Sequence, residues 1–177
     1  MKNSVESLLA HDHEELDRLL VELNAKFEQL EVSEAFKLLD LFWARLAVHI
    51  RAENLHLFPA LANTPATLFS GKGDLLTSEE AHDLLLRLRS DHDYFMKELA
   101  TIIKAMREIT LGQNSHDLKS QEIRRRMNAI RERLEVHNVL EEERAYTWPM
   151  VLFDEATLTR LGQRLKQELE NLPPRFT

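Results

Sequence analysis

His49-Ile50-Arg51-Ala52-Glu53-Asn54-Leu55-His56-Leu57-Phe58-Pro59 decides the fold, because it returns in altered form as His137-Asn138-Val139-Leu140-Glu141 followed by Trp148-Pro149. Each copy sets a histidine and a glutamate four residues apart. On an α-helix that spacing stacks the two side chains one turn apart on one face, so an imidazole nitrogen and a carboxylate oxygen can meet the same ion. Nitrogen and oxygen donors together suit a first-row transition metal. Two such pairs, joined by histidines from two further helices, would make a binuclear site.

Outward from that stretch, apolar residues recur at alternating steps of four and three. The second segment reads Ala35, Leu39, Phe42, Leu46, His49, Glu53, His56, Ala60, with Ser33 as its expected N-cap. The first, about Ser4 to Leu30, reads Leu9, His13, Leu16, Leu20, Leu23, Phe27, Leu30. Pro59 should kink or end the second helix, and Asn63 to Asp74, with Pro65, Gly71 and Gly73, reads as the one long loop. Thr77 and Glu80 form a capping box that opens a third helix with the seam Ala81, Leu85, Leu88, His92, Phe95, Leu99, Ile102, Met106, Ile109. Gly112 through Ser115 marks a turn, after which Ser120, Ile123, Met127, Ile130, Leu134, His137, Glu141 and Trp148 line up on a fourth helix running to about Tyr146. A last segment, about 157–172, carries Leu158, Leu161, Leu165 and Leu169 on one side and should pack across an end of the bundle or form a homodimer contact. Polar residues therefore interrupt every seam where apolar ones belong. Buried imidazoles and carboxylates cost several kcal/mol unless compensated, and a metal ion uses both donor types at once.

The halves read as two copies of one helical hairpin. Asp12-His13 matches Asp91-His92, and the lone histidine precedes the pair by 36 residues in the first half and 45 in the second. In an antiparallel hairpin, level residues lie equally far from the turn. With turns near residues 32 and 113, the level partners of His13 and His92 fall at about 51 and 135, beside the two His-Glu pairs. Four helices thus deliver ligands to one layer of the core. The fold class is all-α, an up-down-up-down antiparallel four-helix bundle over about 4–148 with a short C-terminal fifth helix, in a single domain spanning 1–177.

Bulk properties agree. The 177 residues hold a full core, and four Gly with five Pro describe a helix-rich globule. A net charge of −7 argues against nucleic acid or an anionic membrane as partner. The absence of cysteine excludes disulfides, thiolate metal sites and cysteine nucleophiles. Lacking an apolar leader at Met1 to Glu6 and any membrane-length apolar run, the chain is expected in the cytoplasm.

A lone histidine, His-x-x-x-Glu before an aromatic-Pro, a second lone histidine and a second His-x-x-x-Glu resemble the hemerythrin-like, HHE cation-binding domains over nearly the whole chain. The resemblance implies a non-heme di-iron centre, oxo- or hydroxo-bridged, with Glu53 and Glu141 as bridging carboxylates and His13, His49, His92 and His137 as terminal ligands. Oxygen-carrying hemerythrins have a fifth histidine from the third helix; here the residues four before and four after His92 are Leu88 and Met96. The 4-His, 2-Glu set is more similar to the di-iron repair proteins, whose N-terminal cysteine-bearing segment has no counterpart here, so iron–sulfur repair is not carried over.

Other candidates are weighed beside these six. His56 lies on the seam about 7.5 Å from the level of the site and reads as a channel residue behind the ligands or a fifth histidine. His11 faces away from His13, and His82 and His116 fall outside the seams, in capping or solvent roles. Glu141 is preferred to Glu142, because four residues turn about 40° past a full circle and five turn about 140°. Arg124, Arg125, Arg126, Arg131 and Arg133 interleave with glutamates 122, 132 and 135 and read as a salt-bridged face, not a nucleic-acid site. Tyr94 and Tyr146 are not positioned by the pattern. The expected function is a di-iron protein that binds or reacts with a small diatomic or peroxide (oxygen, nitric oxide or hydrogen peroxide) in stress response or iron handling. The alternative is an oxygen, redox or iron sensor. Metal is expected to leave as pH falls through roughly 5 to 6, where imidazoles protonate.

Overall fold

The computed structural model describes residues 4–29, 31–69, 77–110 and 116–176. Leu30, Gly71, Gly73, the turn at Gly112 through Ser115 and the side chain of His116 lie outside the described residues. The described elements are all helical, in the order α1 (Val5–Glu28), α2 (Val32–Ala52), a π-helical turn (Glu53–Leu57), α3 (Phe58–Ala62), α4 (Ala66–Phe69), α5 (Ser78–Thr110), α6 (His116–Leu140), a second π-helical turn (Glu141–Ala145), α7 (Trp148–Leu152) and α8 (Glu155–Leu169), with a final 3-10 turn (Pro174–Phe176). They form a helical bundle.

α1 starts where Ser4 Oγ accepts the Ser7 N–H at 3.0 Å. α2 begins at Val32 rather than after Ser33, so Ser33 is not its cap. The Glu31 N–H bonds back to the Lys26 carbonyl at 3.1 Å and the Glu31 carboxylate holds Lys26 Nζ at 2.7 Å, which closes the turn early. α5 opens on the expected capping box: Thr77 Oγ1 accepts the Glu80 N–H at 3.1 Å and Glu80 Oε2 accepts the Thr77 N–H at 3.0 Å. Cross-links between helices run in opposite chain directions. Glu98 meets Arg126 and Glu108 meets Lys119, while the Phe27 carbonyl meets Arg124 and His13 meets Glu142.

Two separate apolar cores result. One gathers Leu16, Leu23, Leu39, Phe42, Leu46, Phe95, Leu99, Ile102, Met127 and Ile130. The other gathers Leu9, Leu57, Phe58, Leu61, Leu88, Tyr146, Trp148, Leu161 and Leu165. Six of the polar interruptions of the sequence seams, His13, His49, Glu53, His92, His137 and Glu141, are buried where the two cores meet, together with Asp12 and Asp91.

The two His-Glu helices depart from the expected straight α-helices at the glutamates. In both, the chain widens into a π turn in which the fifth residue after the glutamate bonds to the glutamate carbonyl, Phe58 to Glu53 and Tyr146 to Glu141. α6 therefore ends at Leu140, short of Tyr146. Pro59, which has no N–H to donate, enters the first turn of α3 while the chain stays helical through Ala62. α8 starts and stops two to three residues before its expected limits, because Asp154 Oδ1 caps it by accepting the Thr157 N–H at 2.7 Å. Its Leu161 and Leu165 are buried within the chain against α2, α1 and the first π turn, and Arg51 pairs with Glu168 at its end.

Candidate metal centre

The six expected donors converge. His13 Nε2 and His49 Nε2 are 3.1 Å apart, and His92 Nε2 and His137 Nε2 are 3.2 Å apart. The carboxylates lie between these pairs. Glu141 turns Oε2 toward His13 at 3.3 Å and Oε1 toward His137 at 3.1 Å and His92 at 3.5 Å. Glu53 Oε2 lies 3.2 Å from His92 and 3.5 Å from His49. One carboxylate is thus shared by both histidine pairs through its two oxygens, and the other touches a ring from each. Although Glu53 Oε2 and Glu141 Oε1 are ringed by nitrogens, neither has a hydrogen bond of proper geometry among the described residues. Lone pairs aimed at common points without bonding to each other are what a cation site requires. A first-row ion with bonds of about 2.1 Å holds neighbouring donors about 3.0 Å apart, and the separations here cluster around that value. The residues present fit metal binding.

Each half also fixes the far nitrogen of its paired histidine in the same way. His49 Nδ1 meets Asp12 Oδ2 at 2.9 Å, and Arg45 holds the other Asp12 oxygen at 2.7 Å. His137 Nδ1 meets Asp91 Oδ2 at 3.3 Å, and Arg133 holds the other Asp91 oxygen at 2.7 Å. A carboxylate on Nδ1 sets the tautomer that leaves Nε2 free to ligate. The lone histidines differ. His13 Nδ1 has Glu142 Oε1 at 2.8 Å, whereas His92 Nδ1, like the nearby-in-sequence Asn54 Oδ1 of the Glu53 turn, has no partner among the described residues.

Tyr146 enters the centre of the layer, fully buried. Its hydroxyl lies 2.6 Å from Glu53 Oε1, 3.1 Å from Glu141 Oε2, 3.0 Å from His13 Nε2 and 3.4 Å from His49 Nε2. The equivalent residue of the other copy, Phe58, stacks flat on His92 with ring centres 5.5 Å apart.

Electrostatics follow from placing charge in a dry layer. Burial pushes His13, His92 and His137 down, yet the carboxylates outweigh it and each is carried up to about 9: Glu141 and Glu53 act on His13 and His92, and Glu141 with Asp91 acts on His137. Burial pushes Glu141 up, but His137, His13 and His92 hold it well below the usual carboxylate range. Burial, then the Glu141 and Glu53 charges, push the Tyr146 phenol well above its usual range. Asp12 and Asp91 overcome burial and lie low, held by His49 with Arg45 and by His137 with Arg133.

His56 is not brought to the layer; it is half-buried and faces Glu168 Oε2 of α8 at 3.7 Å. His11 and His82 are exposed. The basic run is spent on neighbours: Arg125 and Arg126 pair with Glu122, Arg126 also with Glu98, and Arg124 with the Phe27 carbonyl. Arg133 is exposed, as expected, and holds Asp91 while lying over the Tyr94 ring at 4.1 Å. Sequence reasoning missed Asp12, Asp91, Arg45 and Arg133 as partners of the ligand rings. A signal for them exists: an aspartate precedes each lone histidine, and an arginine stands four before each paired one. It also set Glu142 aside as a ligand, and the structure gives it the other nitrogen of His13 instead.

A family model described as the hemerythrin HHE cation-binding domain matches residues 4–149, which contain all six donors. No curated protein and no solved structure gives a significant match.

Proposed function

The chain belongs to the hemerythrin HHE cation-binding family, and from that premise we propose that it holds two iron ions and binds or reacts with a small diatomic or peroxide: oxygen, nitric oxide or hydrogen peroxide. One hemerythrin-like domain spans the chain in this reading. The observation that carries it is the pairing of His13 with His49 and of His92 with His137 across shared carboxylates. His13, His49, Glu53, His92, His137 and Glu141 would hold the metals, Glu53 and Glu141 bridging them.

Bound iron would supply electron exchange and coordination positions open to a small molecule. The protein's part is to select and to shield. All six donors are at most 3% exposed, so a substrate of more than a few atoms would have to part the helices. A cleft of about 610 Å³ beside α1 and α6 is lined by Asn138 and Glu142 among others, and Glu142 Oε1 lies 2.8 Å from His13 Nδ1. Asp12 and Asp91, by accepting from Nδ1, would hold the His49 and His137 rings in the ligating tautomer with metal bound.

Protein produced with iron should carry about two iron ions per chain, and its reduced form should react with at least one of the three molecules far faster than free ferrous ion. Elemental analysis with rapid-mixing spectroscopy checks both. A chain that takes up less than about a tenth of an equivalent of any transition metal would refute the reading.

A further inference from the structure

Tyr146 has more polar neighbours than a hydroxyl can serve. A phenol donates one hydrogen bond and accepts two, and carboxylates near neutral pH accept only. The Tyr146 oxygen nevertheless lies within 3.4 Å of two carboxylate oxygens and two imidazole nitrogens. Its proton can satisfy only one of Glu53 Oε1 and Glu141 Oε2. All four neighbours are themselves proposed ligands; both imidazoles belong to the His13/His49 pair, and Glu141 Oε2 is the oxygen turned toward His13. The separations from the hydroxyl, 2.6 to 3.4 Å, match the His13-to-His49 separation of 3.1 Å, as expected of donors around one ion. On the opposite side, Phe58 occupies the equivalent place and offers His92 a ring face and no oxygen.

We propose that Tyr146 is a seventh protein donor, confined to the His13/His49 metal position, so that the two positions are inequivalent and external molecules bind at the His92/His137 position. This inference rests on the two-iron reading above. The first position then has His13, His49, Tyr146 and an oxygen from each glutamate; the second has His92, His137 and the remaining glutamate oxygens. On ligation the phenol proton passes to solvent and the oxygen–metal bond replaces the O–H bond, with no change in oxidation state. The position with fewer protein donors keeps the open face.

The π turn explains how this residue arrives. Five residues after Glu141, Tyr146 would point well off the site on a regular α-helix. The wider turn, closed by the Tyr146 N–H on the Glu141 carbonyl at 2.8 Å, brings it back toward the face that Glu141 occupies.

The test is spectroscopic and uses the intact chain, whose only tyrosines are Tyr94 and Tyr146. Wild-type protein loaded with ferric iron should show a phenolate-to-iron charge-transfer band in the visible and, on excitation there, resonance-enhanced tyrosine ring vibrations. Tyr146→Phe should abolish both while retaining iron; Tyr94→Phe should keep both. If Tyr146→Phe fails to fold or to load, the wild-type and Tyr94→Phe spectra decide, since a surviving signal then belongs to Tyr146. Two bound irons without the band overturn the Tyr146 assignment and leave the di-iron reading standing. Failure of the wild type to bind iron overturns both.

Discussion

The two hairpins of this protein are alike in how they hold a histidine and unlike in what they put around it. Arg45, Asp12, His49 and Glu53 in the first half repeat as Arg133, Asp91, His137 and Glu141 in the second, down to the aspartate oxygen that each arginine takes and the π turn that each glutamate opens. One residue past the glutamate the copies diverge. Glu142 reaches the outer nitrogen of His13, but its counterpart Asn54 is neutral and His92 Nδ1 has no partner among the described residues. Five residues past, Tyr146 brings a hydroxyl where Phe58 brings only a ring. Repetition secures the candidate ligand scaffold, and the divergence sits at atoms that face the candidate metal centre or touch its histidines.

The most damaging way to probe this pseudo-symmetry is to remove what the halves share. Glu141→Ala should cost the metal-free protein about 3 to 5 kcal/mol, since it strips the main counter-charge from buried imidazoliums, and should reduce iron content at both positions together. Calorimetry and elemental analysis read the two effects. Loss of one iron only would mean the carboxylate is not shared.

Acidity probes the same sharing more gently. His13, His92 and His137 titrate at about 9 against an ordinary 6.5, so in metal-free protein their contribution to stability is whole below about 6.5 and disappears as pH rises through about 9. Thermal melts of chelated protein should therefore fall across that interval. Metal must displace those protons, so iron affinity should climb over the same range, and proton competition sets in well above the interval of 5 to 6 expected from free imidazole. A flat melting profile from pH 6.5 to 9 would contradict the assigned burial of charge.

Where the copies agree, matched substitutions should agree. Asp12→Asn and Asp91→Asn should each weaken metal affinity by about 10- to 100-fold, measured by competition with a chelator, and a large disparity between them would break the equivalence of the halves. Where they differ, the smallest change sharpens the contrast. Asn54→Asp supplies the second half with the carboxylate that His13 has in Glu142, and should raise affinity by a few fold, on the order of 1 kcal/mol.

The fold class and the convergence of the six side chains were legible because both depend on one regular period. His13 and His92 each interrupt an apolar row, and a 3.6-residue turn puts Glu53 under His49 and Glu141 under His137. What the period could not carry was anything after the glutamates. Tyr146 is invisible to a helical wheel because a π turn displaces it, and His56 reads as facing the site on the same wheel although that same widening leaves it against Glu168. Asp12 and Asp91 were legible as a repeated pair, yet their role depends on tertiary distance from His49 and His137 that no single helix encodes. The Ser33 cap failed for a local reason, the early turn closure by Glu31 on Lys26.

Each π turn contains one residue more than the α-helical turn it replaces, which in the history of a chain amounts to a single-codon insertion. Shortening 142–145 by one residue would restore the α-helical turn and set the Tyr146 phenol four after Glu141, about 40° from it and on the same face, while leaving Glu141 under His137. The extra residue of the turn can therefore be gained or lost without carrying the phenol off the face that Glu141 occupies.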